Sequence, residues 1–311
     1  MRIVLIGASG FFGGHLLRAL VSDGHECLVL TRAAARRACV GMSPGVSLVQ
    51  ADVHDPNVLA GHFAGADAVI SMAGILNEGG GGNTFQSVHV QLVEAIVEAC
   101  RKAGVTRLLH VSALNAGKGR SHYLETKGKA EEILHAAGDL HVSIFQPSVI
   151  FGRCDAFFNK FAEMLRLAPF LPLACPNSQL QPVYANDVAA VMAASLDDPK
   201  TWGKTFELAG PRRYTLKQLV QWTAKTIGKR RLVIGLPRPL SAAMAMVMNL
   251  VPGKPLSWDN YKSLQTDNVS DSNDFAYFHI DPRSIDLVVP DYLTGSARQR
   301  RLQSFRRQPR R

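Results

Sequence analysis

The chain of 311 residues is short of the devices that staple small secreted proteins or anchor membrane proteins. Its five cysteines (Cys27, Cys39, Cys100, Cys154 and Cys175) are odd in number and form no Cys-x-x-Cys pair. That argues against a disulfide framework and a thiolate metal site, and for a reducing compartment. The ten histidines offer no His-x-x-x-His or His-Glu-x-x-His spacing, so no metal site is expected. Long apolar runs are missing too. The first stops at Gly7, too short for a signal-peptide core, and the run from Leu240 to Val251 has about half the length of a membrane span. A cytoplasmic protein is expected. No repeat is apparent, and the one low-complexity stretch, Gly79 to Gly82, reads as a loop.

Acidic residues are absent from the last fifteen positions, 297–311, which hold seven arginines. Without them the formal charge of +10 falls to +3, an ordinary surface. This Arg-rich tail reads first as a disordered, solvated end. The sharper reading is contact with an anionic membrane at its inner face, RNA or an acidic partner. With Phe305 as its only aromatic, the tail lacks the stacking residues of a nucleic-acid surface, and no specific nucleic acid is expected.

What is present is an alternation of β-branched runs and amphipathic stretches. Strands are predicted at Ile3–Ile6, Glu26–Leu30, Ser47–Gln50, Ala68–Met72, Arg107–Ser112 and Val142–Gln146. Helices are predicted at Phe12–Ser22, Asn57–Phe63, Phe85–Ala103 and His122–Ala137. That order implies an α/β fold: a Rossmann-type doubly wound parallel sheet over 1–150. A smaller substrate-covering region is expected over 151–296, with 181–209 returning to the main sheet. Further expected elements are helices at Ala156–Leu167, Asp187–Leu196 and 215–227, and strands at Val183-Tyr184, Thr205–Leu208 and Arg231–Ile234. The methionine-rich apolar stretch 236–252 reads as a helix, more often core than pocket, yet suited to a hydrophobic substrate.

The first strand runs into Gly7-Ala8-Ser9-Gly10-Phe11-Phe12-Gly13, and a helix follows at once. Gly7 allows the tight turn, Gly10 lets backbone approach a pyrophosphate, and Gly13 lets the helix pack on its strand. A dinucleotide is expected there. After the second strand come Leu30-Thr31-Arg32, with Arg36 and Arg37 behind, where NAD-selective sites place a carboxylate for the ribose hydroxyls. A guanidinium suits a 2′-phosphate, so NADP(H) is favoured over NAD(H). Tyr123 and Lys127 lie four apart on one helix face, after the strand whose end carries Ser112. A phenol is a poor acid–base group at neutral pH, and a nearby ammonium together with an oxidised nicotinamide is expected to lower its pKa.

These features, with Asp52-Val53 and Gln146-Pro147-Ser148-Val149-Ile150-Phe151-Gly152, resemble the extended and atypical short-chain dehydrogenase/reductases over residues 1–235. The runs His110-Val111-Ser112-Ala113-Leu114, Gln181 to Ala189, Leu264 to Val269 and Pro290-Asp291-Tyr292-Leu293 are most similar to the group holding the NADPH-binding accessory subunit of respiratory complex I and its free-standing bacterial relatives. The resemblance implies that Ser112, Tyr123 and Lys127 are catalytic. It further implies that Ser9, Phe11, Phe12, Asp52, Val53, Ala73, Gly74, Gln146, Pro147 and Val149 join the glycines, Arg32 and Lys127 around the cofactor. Met72-Ala73-Gly74 departs from the usual Asn-Ala-Gly. The implied function is an oxidoreductase acting on a carbonyl, alcohol or quinone-like small molecule. The alternatives are a cofactor-binding accessory or assembly protein of the respiratory complex, and a nucleotide-sugar epimerase or dehydratase.

Overall fold

A computed structural model of the chain describes residues 1–32, 44–251 and 256–294. Arg36, Arg37, Cys39, Pro252 and the tail 297–311 lie outside the described residues.

Seven parallel strands form the main sheet: β1 (Arg2–Ile6), β2 (Glu26–Thr31), β3 (Val46–Gln50), β4 (Ala68–Ser71), β5 (Arg107–Val111), β6 (His141–Pro147) and, after four short strands, β11 (Lys204–Leu208). Their order is β11-β6-β5-β4-β1-β2-β3. The winding reverses between β1 and β4, which leaves a crevice at their carboxyl ends, where open α/β sheets bind ligands. Central strands are buried on both faces, and β1 accordingly reads Ile3-Val4-Leu5-Ile6 without alternation.

Leu5, Val29, Ile70, Leu109 and Phe145 pack on one face against α1 (Phe11–Ser22) and α6 (Ala185–Ala194). Val4, Val69, Leu108 and Ile144 pack on the other against α2 (Pro56–Phe63), α3 (Leu92–Ala103) and α4 (His122–Ala136). Local chemistry sets the helix ends. Asp55 caps α2 with Pro56 in its first turn, Ser121 caps α4, and Gly104 closes α3 in the left-handed region. The stretch expected to be one helix from Phe85 to Ala103 winds its first turn, Gln86–Gln91, as a π-helix before α3.

A third core gathers Phe151, Phe158, Leu173, Leu219, Val220 and Val233 with Ile285, Val289 and Leu293. It joins α5 (Phe158–Leu167), α7 (Leu216–Thr226) and a last helix over 285–294. Short pairs hold it to the sheet: β7 (Ile150–Phe151) with β10 (Val183–Tyr184), and β9 (Gln179–Leu180) with β12 (Tyr214–Thr215). A ribbon of β8 (Phe170–Leu173) and β13 (Leu232–Gly235) leads into α8 (Arg238–Asn249) and α9 (Trp258–Ser263). The methionine-rich helix is not core. On α8 only Ser241 and Ala245 are buried, while Leu240, Met246 and Val247 are more than half exposed.

At Gly13 a Cβ would lie 2.0 Å from the Ala8 carbonyl oxygen, whereas one at Gly14, the next residue of α1, meets nothing. Gly13→Ala should therefore lower stability by about 1–3 kcal/mol or more through overpacking. Gly14→Ala should raise it by about 1 kcal/mol, the helix-propensity gain. Urea unfolding of the two variants checks both signs, and equal effects would contradict the packing.

Candidate nucleotide and proton-transfer site

The turn from β1 into α1 is shaped by two kinds of close approach. Gly7 lies at φ +88°, and a Cβ there would come within 2.6 Å of the Ala73 amide nitrogen. A side chain at Gly10 would meet only the Gly7 carbonyl at 3.6 Å, so its absence clears space outside the chain. Gly10 is also the N-cap of α1, with no side-chain cap and no acid in the first turn. The amide donors and positive dipole end of a twelve-residue helix are thus left for an anion at the carboxyl edge of the sheet. A dinucleotide pyrophosphate fits that donor set.

Around this turn the expected cofactor residues fall as follows. Arg32 follows β2, and its guanidinium donates to Asn83 Oδ1 at 2.5 Å, where Gly79 N–H to Asn83 carbonyl closes the glycine-rich loop. Asp52 accepts from the His54 amide, and Val53 is buried beneath α2. Ser9 is partly buried in the turn, and Phe12 packs on the α1 face of the sheet. Phe11 meets His15 edge-on. Gln146 gives its amide to Glu131 at 2.8 Å, and Pro147 ends β6. The Val149 amide donates to Asn268 Oδ1.

Lys127, Ser112 and Gly74 come together one strand over. Lys127 is buried in α4, and its ammonium donates to the Val111 carbonyl at 3.0 Å, at the end of β5. The same nitrogen lies 3.6 Å from where a Gly74 Cβ would stand, so it spans the ends of β4 and β5. Burial lowers its pKa to about 8, against the pull of Glu131 one turn on. Ser112 is buried, its amide bonds to the Phe145 carbonyl, and its hydroxyl makes no hydrogen bond within the described residues.

Tyr123 lies one turn before Lys127 and packs edge-on against Phe85 and His89. Its ring keeps some exposure, yet burial pushes the phenol up to about 12. The expected lowering by Lys127 does not appear in the protein alone, because desolvation acts on the phenol unopposed. Lowering it falls to a bound charge.

Three partners of this site carried no separable signal in the sequence. His89, in the π turn, accepts from the Ile75 amide at Nε2 (3.2 Å), which leaves its proton on Nδ1, 2.9 Å from Thr126 Oγ1. Thr126 can accept there because its own hydrogen goes to the His122 carbonyl. The ring thus ties the segment after β4 to α4. Burial, helped by Lys127, drives its pKa down to about 3. His110 on β5 is fully enclosed, neither ring nitrogen has a partner among the described residues, and burial holds it well below the usual imidazole range. Asp259 of α9 accepts from the His122 and Tyr123 amides (2.8 and 3.1 Å), capping α4 from 136 residues away.

A family model described as NAD(P)H-binding matches residues 7–153. The ceramide reductase of Caulobacter vibrioides is 30% identical over 244 residues, 76% of this chain and 74% of its own. The NADH dehydrogenase [ubiquinone] 1 alpha subcomplex subunit 9 of Arabidopsis thaliana mitochondria is 28% identical over 309 residues, 94% and 75% of the two chains. Among solved structures, the NADPH-dependent quinone oxidoreductase of Escherichia coli complexed with NADPH superposes with a TM-score of 0.73 at 18% identity, covering 91% of this chain and 96% of its own.

The two buried histidines give the fold a pH dependence. Both stay neutral in the folded chain but charge near 6.5 once unfolded, so the unfolded state takes up protons that the fold refuses. Stability should then fall as pH drops from 6.5 towards 3, by at most about 1.4 kcal/mol per pH unit for each histidine. His89→Gln should flatten that slope, read from urea midpoints between pH 7 and 5. An unchanged slope would mean that His89 charges freely in the fold.

Proposed function

The chain belongs to the NAD(P)H-binding Rossmann family of short-chain dehydrogenase/reductase-like proteins that includes the mitochondrial complex I alpha subcomplex subunit 9, and from that premise we propose that it is an NADP(H)-dependent oxidoreductase acting on a carbonyl or alcohol of a hydrophobic substrate. One observation carries the reading: a buried Ser112 hydroxyl without a hydrogen bond among the described residues, at the carboxyl end of β5, one residue past the Val111 carbonyl that holds the buried Lys127 ammonium. A buried hydroxyl left without a bond costs about 1–3 kcal/mol. A substrate oxygen would offset that.

The cofactor, when bound, supplies or accepts the hydride. In this reading Gly7, Gly10 and Gly13 shape the pyrophosphate turn, and Ala73-Gly74 with Lys127 face the nicotinamide ribose. Ser112 holds the substrate oxygen, while Tyr123 delivers its proton during reduction and takes one up during oxidation. A phenol near 12 holds its proton in the free protein, and the charge of oxidised nicotinamide makes phenolate accessible. Arg32, whose guanidinium donates to Asn83, suits a 2′-phosphate. The ceramide reductase supports a lipid-like substrate class, as does the apolar surface beside the site.

A second reading, a cofactor-stabilised accessory protein, draws on the complex I subunit matching 94% of this chain. The two readings part on mutation. Tyr123→Phe should abolish turnover and leave cofactor affinity intact, and Lys127→Met should damage both. Ser112→Ala should lower turnover by roughly 10²–10³-fold, as for a lost polarising hydrogen bond. Steady-state kinetics on quinones and medium-chain carbonyls, with parallel cofactor titrations, give the answer. Wild-type turnover in Tyr123→Phe refutes the mechanism, and cofactor binding without turnover across the panel favours the accessory protein.

Cofactor choice is tested separately. NADPH should bind more tightly than NADH by about 1–3 kcal/mol for one charge-assisted contact. Arg32→Asp should narrow or reverse the margin in calorimetry, and equal affinities in the unaltered protein would remove Arg32 from the role.

A further inference from the structure

Outside the site, apolar side chains that ought to be buried are collected on one side of the third core. In the β8–β13 ribbon Phe170 stands beside Leu232 and Pro172 beside Ile234, and all four face outward, Phe170 at 55% and Leu232 at 64% exposure. The opposite ribbon face, Leu173 and Val233, fills the core. The ribbon runs straight into α8, where Ser241 Oγ donates to the Leu236 carbonyl and accepts from the Cys175 amide. Leu240, Ala243, Val247 and Leu250 then follow at spacings of three and four along one exposed helix face, with Leu250 at 84%. No charge occurs between Pro239 and Val251. Leu167, at the end of α5, is 81% exposed. A solvated helix face carries polar residues, and a contiguous apolar one marks an interaction site.

One stretch of this surface's rim is basic. An open depression of about 510 Å³, lined by Lys225, Lys229, Arg230 and Arg231 with no acid, shares Leu232 with the ribbon. Arg166 beside Leu167 donates to the Leu293 carbonyl at 3.0 Å. The chain that continues from this last helix holds the seven arginines of 297–311. Two copies meeting through such a face would bring like charges together, which opposes a dimer. An apolar face rimmed by Lys and Arg complements a layer that is hydrocarbon inside and anionic at its surface.

We propose that the α8 face and the β8–β13 ribbon dock on an anionic lipid bilayer, with Lys225, Lys229 and Arg230 against the headgroups. Docking there also bears on the helix that carries Tyr123. The α8 residue Asn249 accepts from the Trp258 amide, Asp259 caps the helix of Tyr123, and Asn260 donates to the carbonyl of Leu76, which is 60% exposed. This inference goes beyond the reductase reading and needs no turnover to be tested.

The test is co-sedimentation of the full chain with vesicles of phosphatidylcholine alone or mixed equally with phosphatidylglycerol. Binding is expected to the mixed vesicles only. Val247→Asp with Leu250→Asp, and separately Lys229→Glu with Arg230→Glu, should each lower partitioning at least tenfold while thermal melting and NADPH titration stay as in the unaltered chain. Face variants that bind normally, with binding lost only on deleting 297–311, would overturn the proposal in favour of the tail alone. Equal binding to uncharged vesicles overturns the role of the basic rim. A dimer in lipid-free sedimentation that Val247→Asp with Leu250→Asp dissociates would identify a second copy as the occupant and also overturn it. Failure of NADPH to bind counts against the proposed function and leaves the vesicle result standing.

Discussion

The backbones at the carboxyl ends of β1 and β4 approach too closely for a side chain between them, and the site depends on that contact. Gly7 has neither the conformational nor the steric room for a Cβ, since its neighbours are backbone atoms of Met72 and Ala73 that cannot swing away. The contact turns the chain so that the N-terminus of α1 points over the edge of the sheet. It also holds the segment after β4 where Lys127 and His89 reach it from α4 and the π turn. The crevice is therefore set by backbone, and side chains are fitted into it.

Burying a lysine and two histidines under α4 opposes folding, and each is handled differently. Lys127 keeps a carbonyl partner and a carboxylate a turn away. His89 has both nitrogens committed and stays neutral, which makes it a tie between two segments and no proton carrier. His110 has no hydrogen-bond partner on either ring nitrogen among the described residues. A polar cluster this incompletely satisfied, inside an otherwise apolar layer, is where functional chemistry tolerates local instability.

The first half of the fold was legible because a parallel sheet writes itself as alternating buried strands and amphipathic helices, and each predicted strand from Ile3 to Gln146 matches an observed one within two residues. The second half was harder for specific reasons. Pro169 and Pro172 hid β8, whose partner β13 lies some sixty residues on, and the two-residue strands of the β9–β12 pair have no periodicity to read. The π turn follows from tertiary packing against α4, which a helical pattern does not encode. The stretch 236–252 reads as core more often than pocket, yet on α8 only Ser241 and Ala245 face inward while Leu240, Met246 and Val247 face out. The candidate site was legible in its chain-local parts: the glycine turn, the Ser112 strand end and the Tyr123/Lys127 pair. The direction of the Tyr123 shift was not, because burial cannot be read from spacing.

The runs near the chain's end that sequence comparison singles out gain a physical meaning from their contacts. Asn268 accepts from the Ser148 hydroxyl and the Val149 amide, which fixes the backbone just beyond β6. Tyr292 donates to Asp155, and that carboxylate caps α5 through the Phe158 amide. Asp259 caps the helix that presents Tyr123 and Lys127. The Asn268 and Asp259 bonds reach the Rossmann edge where cofactor residues are expected, at Val149 and on the helix of Lys127. Movement of α8 and α9 on a surface would therefore reach Tyr123 through two hydrogen bonds at the start of its own helix. In this chain α9 and the start of α4 are mechanically one unit.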